Sequence, residues 1–364
     1  MREIHFLGKM PDPFLKADGT RMTKEEWLES KDKIRNMIVD YEYGGMPPRP
    51  EFVEFEKMNN EPVPGRCAQW YKIKAGKKDK YVTFNLQLIL NDKNMDKYPV
   101  LLTGDDCFEN LESDTVKEAY DRGYVTARFN RLDLAYDIKE RKGGLYEVYP
   151  EYPDFSAISA WAWGYSVCLD VFEKLDFIDE TEVGITGHSR GGKTVLLAGA
   201  VDERIKYVCP NNSGCHGAVS HRCYVTGLGW HGDTERIGTM VEMFPTWLGP
   251  KLWDYVDNEE NLPYDMHYFG ALIAPRYYLQ CEGMQDYWIN PIGAWQNFSA
   301  VKECYRYLGC EENAGAWFRP GFHRQKLPDF TEFLDFMDNS RAGNPLAEHL
   351  KINPYPEIEK NFDW

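Results

Sequence analysis

The sequence predicts an α/β fold with a mostly parallel central sheet, an antiparallel start to that sheet, and helices on both of its faces. From residue 98 onward, short apolar runs alternate with stretches of helical spacing, which is the pattern of parallel strands joined by helices. Before that point, three strand-like runs follow one another with no helical stretch between them, as antiparallel strands do. A glycine-rich turn between one later strand and its helix is the third observation.

The N-terminal residues predict a helical extension, 1–60, that packs against a main domain of residues 61–364. In TKEEWLESKDKIRNMIVDYEYGG, apolar residues recur at close to helical spacing from Trp27 onward, and the run ends at Gly44 and Gly45. A chain of 364 residues is long enough for one large domain with such an added segment.

The strands expected to open the sheet cover 51–57, 66–74 and 80–90. The parallel part is expected to have strands at 98–104, 124–129, 182–187, 206–210, 275–281 and 315–321, and helices near 111–121, 155–175, 190–202, 291–308 and 328–338. Residues 211–264 interrupt this alternation and predict a cap-like insertion. In such folds the functional site lies at the carboxyl ends of the strands, so we expect the insertion to cover it.

The composition excludes several classes of partner. Lys and Arg number 42 against 58 Asp and Glu, a formal charge of −16 that repels nucleic acid and anionic membrane surfaces. No apolar run approaches the roughly 20 residues of a membrane helix. No secretory signal is recognisable, and the nine cysteines are scattered and odd in number, so we expect a reduced, cytoplasmic protein.

The cysteines do not predict a metal centre. Cys209, Cys215 and Cys223 are close in the sequence, but their spacing is not that of a zinc site. We therefore expect neither a metal nor a cofactor.

The strongest motif is a G-x-S-x-G run, Gly187-His188-Ser189-Arg190-Gly191, directly after an apolar strand and directly before a helix. That context is the one a nucleophile elbow requires, because the sharp turn exposes the serine hydroxyl while the glycines allow strand and helix backbones to approach. Ser189 is the predicted nucleophile. His188 is expected to point away from it and to have a packing role.

A serine nucleophile needs a base and an acid, which follow it in the order acid, then histidine. His323 is the predicted base, because it follows a late strand-like run through a glycine and precedes the last helix. Two residues qualify as the acid after the strand at 275–281, namely Glu282 and Asp286. We favour Asp286, which lies in a turn, and expect Glu282 to face solvent.

An oxyanion hole needs two backbone N–H donors. One is expected from Arg190, and the other from the loop after the strand at 98–104, with Asp105 as the candidate. The side chain of Arg190 is a further candidate, although an ion pair with Asp105 or Asp106 is an equally good expectation.

These residues resemble bacterial α/β-hydrolases of the glucuronoyl esterase type. Those enzymes cleave the ester between a glucuronic acid on xylan and a lignin alcohol, or the corresponding methyl ester. The resemblance includes EEWLESKDKIRNMIVDYEYGGMPPRP, GYVTARFNRLDLAYD, the long segment around the elbow, and LPYDMHYFGALIAPRYYL. Its most specific part is the family elbow G-C-S-R-x-G-K, which reads GHSRGGK here. The resemblance implies an α/β-hydrolase fold.

The resemblance also implies roles for individual residues. It implies that Ser189 is the nucleophile, that the side chain of Arg190 stabilises the oxyanion, and that Lys193 contacts the hydroxyls of a sugar acid. Trp247 falls near a family tryptophan that packs on the sugar. Trp230 is a further ligand candidate, because it also lies in the insertion.

Two positions depart from the family pattern. The elbow cysteine is His188 here. The Gln-Glu pair often found after the next strand, whose glutamate can be the triad acid, is Asn211-Asn212. Because asparagine cannot be that acid, this departure favours Asp286.

The predicted function is serine carboxylic ester hydrolysis of a carbohydrate-linked ester, with glucuronate esters first. The substrate would be a small molecule or an oligosaccharide. Acetyl, feruloyl or other small-molecule esters are the alternative, and a serine peptidase or amidase on the same fold is a further one. A binding protein with a dead site would lack a triad member, whereas all three are present in order.

Overall fold

A computed structural model describes residues 2–63, 66–93, 95–108, 111–228 and 232–364 of the chain. Its strands are β1 (Glu3–Phe6), β2 (Phe52–Val63), β3 (Arg66–Lys77), β4 (Lys80–Leu90), β5 (Tyr98–Thr103), β6 (Val125–Phe129), β7 (Ile178–His188), β8 (Tyr207–Asn211), β9 (Cys223–Thr226), β10 (Tyr277–Gly283) and β11 (Ala314–Arg319). Its helices are α1 (Lys24–Tyr43), α2 (Ser113–Arg122), α3 (Leu145–Val148), α4 (Ala157–Phe172), α5 (Arg190–Val201), α6 (Ile237–Met243), α7 (His267–Ile273), α8 (Pro291–Leu308) and α9 (Leu327–Arg341).

The central sheet has nine strands in the order β11-β10-β8-β7-β5-β6-β4-β3-β2. The strands from β2 to β4 pair antiparallel, and β4 pairs antiparallel with β6. The pairs from β6 to β11 are parallel. The predicted parallel sheet with an antiparallel start is therefore confirmed. Parallel order brings the carboxyl ends of β7, β8, β10 and β11 to one edge, where the candidate site lies.

The five helices predicted after residue 98 correspond to α2, α4, α5, α8 and α9. Two further helices, α3 and α6, were not predicted, because they are at most seven residues long and too short to show helical spacing. In the described part of the chain, no helix is long and apolar enough to cross a membrane.

The predicted N-terminal helix forms as α1. It begins with a capping box, in which Thr23 accepts from the N–H of Glu26 and Glu26 accepts from that of Thr23, and it ends at Gly44 with φ at 70°. Trp27 is buried against the main body. The boundary at residue 60 was wrong, because β2 crosses it and pairs with β3 along its length.

Between β8 and α7, the predicted insertion contains β9, α6 and short turns. It is tied to the chain's beginning, because β9 pairs antiparallel with β1. Both tryptophans of α4 are buried, with the indole N–H of Trp161 donating to the carbonyl of Ala135 and that of Trp163 to the carbonyl of Pro48. These two rings therefore fill the core.

Candidate active site

The elbow occupies the junction of β7 and α5. Ser189 has φ at 58° and ψ at −120°, a backbone conformation that costs about 1–3 kcal/mol for a residue other than glycine. A Cβ on Gly187 would lie 2.5 Å from the carbonyl oxygen of Gly191, and one on Gly191 would lie 2.2 Å from the carboxylate of Asp105. Both positions therefore require glycine for the turn to close.

Asp105 binds the backbone of the elbow. It is fully buried, accepts a hydrogen bond of 2.7 Å from the backbone N–H of His188, and forms an ion pair with the buried Arg131. Its own N–H donates to Oγ1 of Thr103 at 3.2 Å. The N–H of Asp105 therefore has an acceptor within the loop, and its oxyanion role stays a prediction.

The predicted acid and base lie together beside the elbow strand. Oδ2 of the buried Asp286 lies 2.5 Å from Nδ1 of His323, which is 38% exposed. The amide of Asn212 donates to the same Oδ2 at 2.7 Å. Asn212 therefore orients Asp286.

Glu282, the other acid candidate, has a different environment. Its side chain is fully buried, contrary to the expectation that it faces solvent, and its carboxyl accepts from the amide of Gln280 at 3.1 Å. Burial raises the pKa of Glu282 well above its usual value, which disfavours the charged form that a triad acid needs.

His188 packs against the predicted base, His323. The sequence predicted a packing role for His188 but not this partner. The ring centroid of His188 is 4.4 Å from that of His323. Its Nδ1 lies 2.8 Å from Oδ1 of Asn211, whose amide nitrogen donates to Asp329, so Nδ1 carries the hydrogen. Burial, reinforced by the neighbouring His323, lowers the pKa of His188 to about 3. His188 is therefore neutral and adds no positive charge beside the base.

Arg190 is held by two residues that the sequence did not connect. Its guanidinium lies 2.5 Å from Oδ2 of Asp137 and 4.5 Å from the ring centroid of Trp247. The indole N–H of Trp247 donates to the other oxygen of Asp137 at 2.7 Å. The partner of Arg190 is thus Asp137, and not Asp105 or Asp106.

The position of Trp247 corrects its predicted role on the sugar. The side chain is buried, Phe244 stacks on it at 3.9 Å between centroids, and Arg190 covers it as well. An indole with its ring covered and its N–H bonded has no free face for a sugar. Trp230, the other predicted ligand-binding tryptophan, lies outside the described residues.

Lys193 likewise differs from its prediction. Its Nζ is buried and donates to the carbonyls of Ser213 at 2.6 Å and Cys215 at 2.5 Å, and it lies 3.3 Å from Glu235. An ammonium group has three hydrogens, and these three acceptors use all of them. The prediction that Lys193 contacts sugar hydroxyls was therefore wrong for this arrangement.

Comparison with known proteins agrees with the predicted resemblance. A family model described as glucuronyl esterase, fungi, matches residues 73–309, which is more than half of the chain. A carbohydrate esterase from an unknown prokaryotic organism is 27% identical over 92% of this chain and 90% of its own length. The 4-O-methyl-glucuronoyl methylesterase 1 of Wolfiporia cocos is 28% identical over 84% of this chain and 74% of its own.

Solved structures show the same relationship. A carbohydrate esterase family 15 glucuronoyl esterase from Caldicellulosiruptor kristjansonii superposes with a TM-score of 0.85 at 28% identity, and covers 99% of this chain and 97% of that one. A promiscuous esterase of the same family from a marine bacterial metagenome gives a TM-score of 0.79 at 25% identity, over 91% and 96% of the two chains. The architecture is therefore the α/β-hydrolase fold.

Proposed function

This chain belongs to the glucuronyl esterase family, and from that premise we propose that it hydrolyses a carbohydrate-linked glucuronate ester with a triad of Ser189, His323 and Asp286. The observation that carries the proposal is the 2.5 Å contact between Asp286 and Nδ1 of His323, beside the elbow that presents Ser189. The contact leaves Nε2 of His323 as the basic nitrogen.

Acyl transfer proceeds in two steps. Oγ of Ser189 attacks the ester carbonyl while His323 takes its proton, and His323 then protonates the departing alcohol as the acyl-enzyme forms. Water, activated by His323, releases the uronic acid and restores Ser189. Asp286 holds the imidazole in the required tautomer and stabilises its charged form without taking the proton itself.

The oxyanion is stabilised by Arg190. Its backbone N–H begins α5, and its guanidinium is anchored by Asp137 over the ring of Trp247. A cation fixed before the reaction costs no reorganisation when negative charge develops on the carbonyl oxygen. Asp137 and Trp247 therefore contribute to catalysis by holding the guanidinium of Arg190 in place.

A second candidate is hydrolysis of acetyl, feruloyl or other small acyl esters. The enclosure of Lys193 and Trp247 favours it, because both predicted sugar contacts are engaged within the protein. The catalytic groups are the same for both candidates, and only the acyl group that the pocket selects differs.

A substrate panel tests the proposal. Purified enzyme is assayed on a benzyl glucuronate ester, p-nitrophenyl acetate, an acetylated xylo-oligosaccharide and an aminoacyl anilide, with Ser189→Ala as the blank. We expect the highest kcat/KM on the glucuronate ester and none above the blank on the anilide. A preference for the acetyl esters would support the second candidate. Full activity of Ser189→Ala would refute the assigned nucleophile.

A further inference from the structure

A buried group of metal-ligating side chains lies beneath Lys193 and takes no part in the reaction described above. Cys215, His216 and His221 come from the start of the insertion, and Glu42 comes from the last turn of α1. All four side chains are buried. The backbone of Cys215 contacts both members of the Lys193–Glu235 ion pair, because its carbonyl accepts from Lys193 and its N–H donates to Glu235.

Glu42 sets the orientation of both imidazoles. Its Oε1 lies 2.6 Å from Nδ1 of His216, its Oε2 lies 3.2 Å from Nε2 of His221, and Tyr264 donates its hydroxyl to Oε2 at 2.6 Å. A carboxylate only accepts, so the nitrogens that face Glu42 carry hydrogens in the neutral rings.

In the neutral rings, the nitrogens on the opposite side then offer lone pairs. Nδ1 of His221 lies 3.5 Å from Sγ of Cys215. Nε2 of His216 is buried and has no hydrogen-bond partner among the described residues. Potential ligand atoms of Cys215, His216 and His221 all lie within 4.8 Å of one another. A buried polar atom without a hydrogen-bond partner lowers the stability of the fold, and a bound ligand would remove that cost.

The separation of Cys215 and His221 fits two ligands of a tetrahedral ion. Zinc bound to sulfur at about 2.3 Å and to nitrogen at about 2.0–2.1 Å holds the two ligand atoms about 3.5 Å apart. Cys215 and His221 already have that separation. Histidine ligands in proteins commonly donate their other N–H to a carboxylate, and Glu42 accepts from both rings here.

We propose that Cys215, His216 and His221 form a binding site for a divalent transition-metal ion, zinc before others, with Glu42 as the carboxylate that orients both histidines. The thiolate and imidazole donors suit zinc and not magnesium or calcium. The ion would brace the loop that contacts Lys193 and Glu235, and would take no part in ester hydrolysis. Cysteine spacing could not predict this site, because the histidines and Glu42 complete it.

Cobalt substitution tests the proposal without relying on activity. The purified full chain is treated with chelator, titrated with Co²⁺, and followed for a thiolate-to-cobalt absorption band and for bound metal by elemental analysis. We expect uptake of about one Co²⁺ per chain with that band, and its displacement by Zn²⁺. Absence of the band in the folded wild-type protein would overturn the proposal.

Matched variants locate the ion. Cys215→Ser should lose the band and at least about tenfold in metal affinity, and Glu42→Gln should bind about 10–100-fold more weakly. Cys223→Ser, which changes another buried cysteine in β9, should bind as wild type does. Equal cobalt binding by Cys215→Ser and wild type would contradict the site. If Cys215→Ser does not fold, a Tm of the wild type that Zn²⁺ does not raise and chelator does not lower would contradict it as well.

Discussion

The imidazole of His188 packs against that of His323, with ring centroids 4.4 Å apart and planes at 47°. The neighbour of the nucleophile therefore contacts the base. His188 stays neutral because burial and the charge that His323 can carry both lower its pKa. A neutral ring here leaves His323 free to become positively charged during each transfer step without a second cation beside it.

The first prediction concerns stability in acid. The pKa of His188 is about 3 in the folded protein and about 6.5 in an unfolded chain, so the unfolded chain binds this proton first. The free energy of unfolding should therefore fall as the pH falls below about 6, by up to about 1.4 kcal/mol per pH unit from this residue. His188→Asn should remove that part of the slope, as measured by denaturant unfolding at several pH values.

The control for this measurement is internal. The pKa of His267 is lowered to about 4, mainly by burial, so His267 contributes a slope of the same sign in both proteins. Only the difference between wild type and His188→Asn is attributed to His188. Identical slopes in the two proteins would mean that His188 is not held neutral.

The second prediction separates the two acid candidates. Asp286→Asn keeps the shape of the side chain but removes the charge that stabilises protonated His323, so kcat should fall by about 10³–10⁴. Glu282→Gln replaces a buried carboxyl that does not contact His323 with an amide of the same size, and kcat should stay within about threefold of wild type. Steady-state kinetics on one ester measure both. The reverse ranking would assign the triad acid to Glu282.

The third prediction concerns the anchoring of Arg190. Arg190→Ala should lower kcat by about 10²–10³, the usual effect of removing one oxyanion donor. Trp247→Phe keeps an aromatic face beneath Arg190 but loses the N–H that binds Asp137. We expect kcat to fall by about tenfold with KM little changed, because a misplaced cation weakens the transition state more than substrate binding. A change confined to KM would return Trp247 to a substrate-binding role.

The fourth prediction concerns Lys193. Lys193→Met leaves Glu235 nearly buried without its cation, and should lower the free energy of unfolding by about 3–5 kcal/mol. Lys97→Met removes a cation from an exposed pair with Glu180, and should cost at most about 1 kcal/mol. Denaturant unfolding compares the two variants. If Lys193→Met were as stable as Lys97→Met but lost binding of the glucuronate ester, Lys193 would be a substrate contact after all.

The sequence alone was sufficient for the succession of strands and long helices along the central sheet. Apolar periodicity and turn residues are local signals, so they predicted the antiparallel start, the parallel strands and the long helices. The elbow around Ser189 is equally local, because a strand, two glycines and a helix follow directly in the chain. The chain order of the fold then indicated where Asp286 and His323 should lie.

Only the tertiary structure decided which side chains meet. Arg190 and Asp137 are 53 positions apart, Asn212 and Asp286 are 74 apart, and His216 and Glu42 are 174 apart. Nothing in a local pattern specifies such pairs, because they depend on how crossovers and the insertion bring distant segments to one edge of the sheet. The sequence also suggested substrate-binding roles for Trp247 and Lys193, but it could not show that both side chains are buried. Their burial against Phe244, Asp137 and Glu235 is a consequence of packing, and packing is a property of the folded chain.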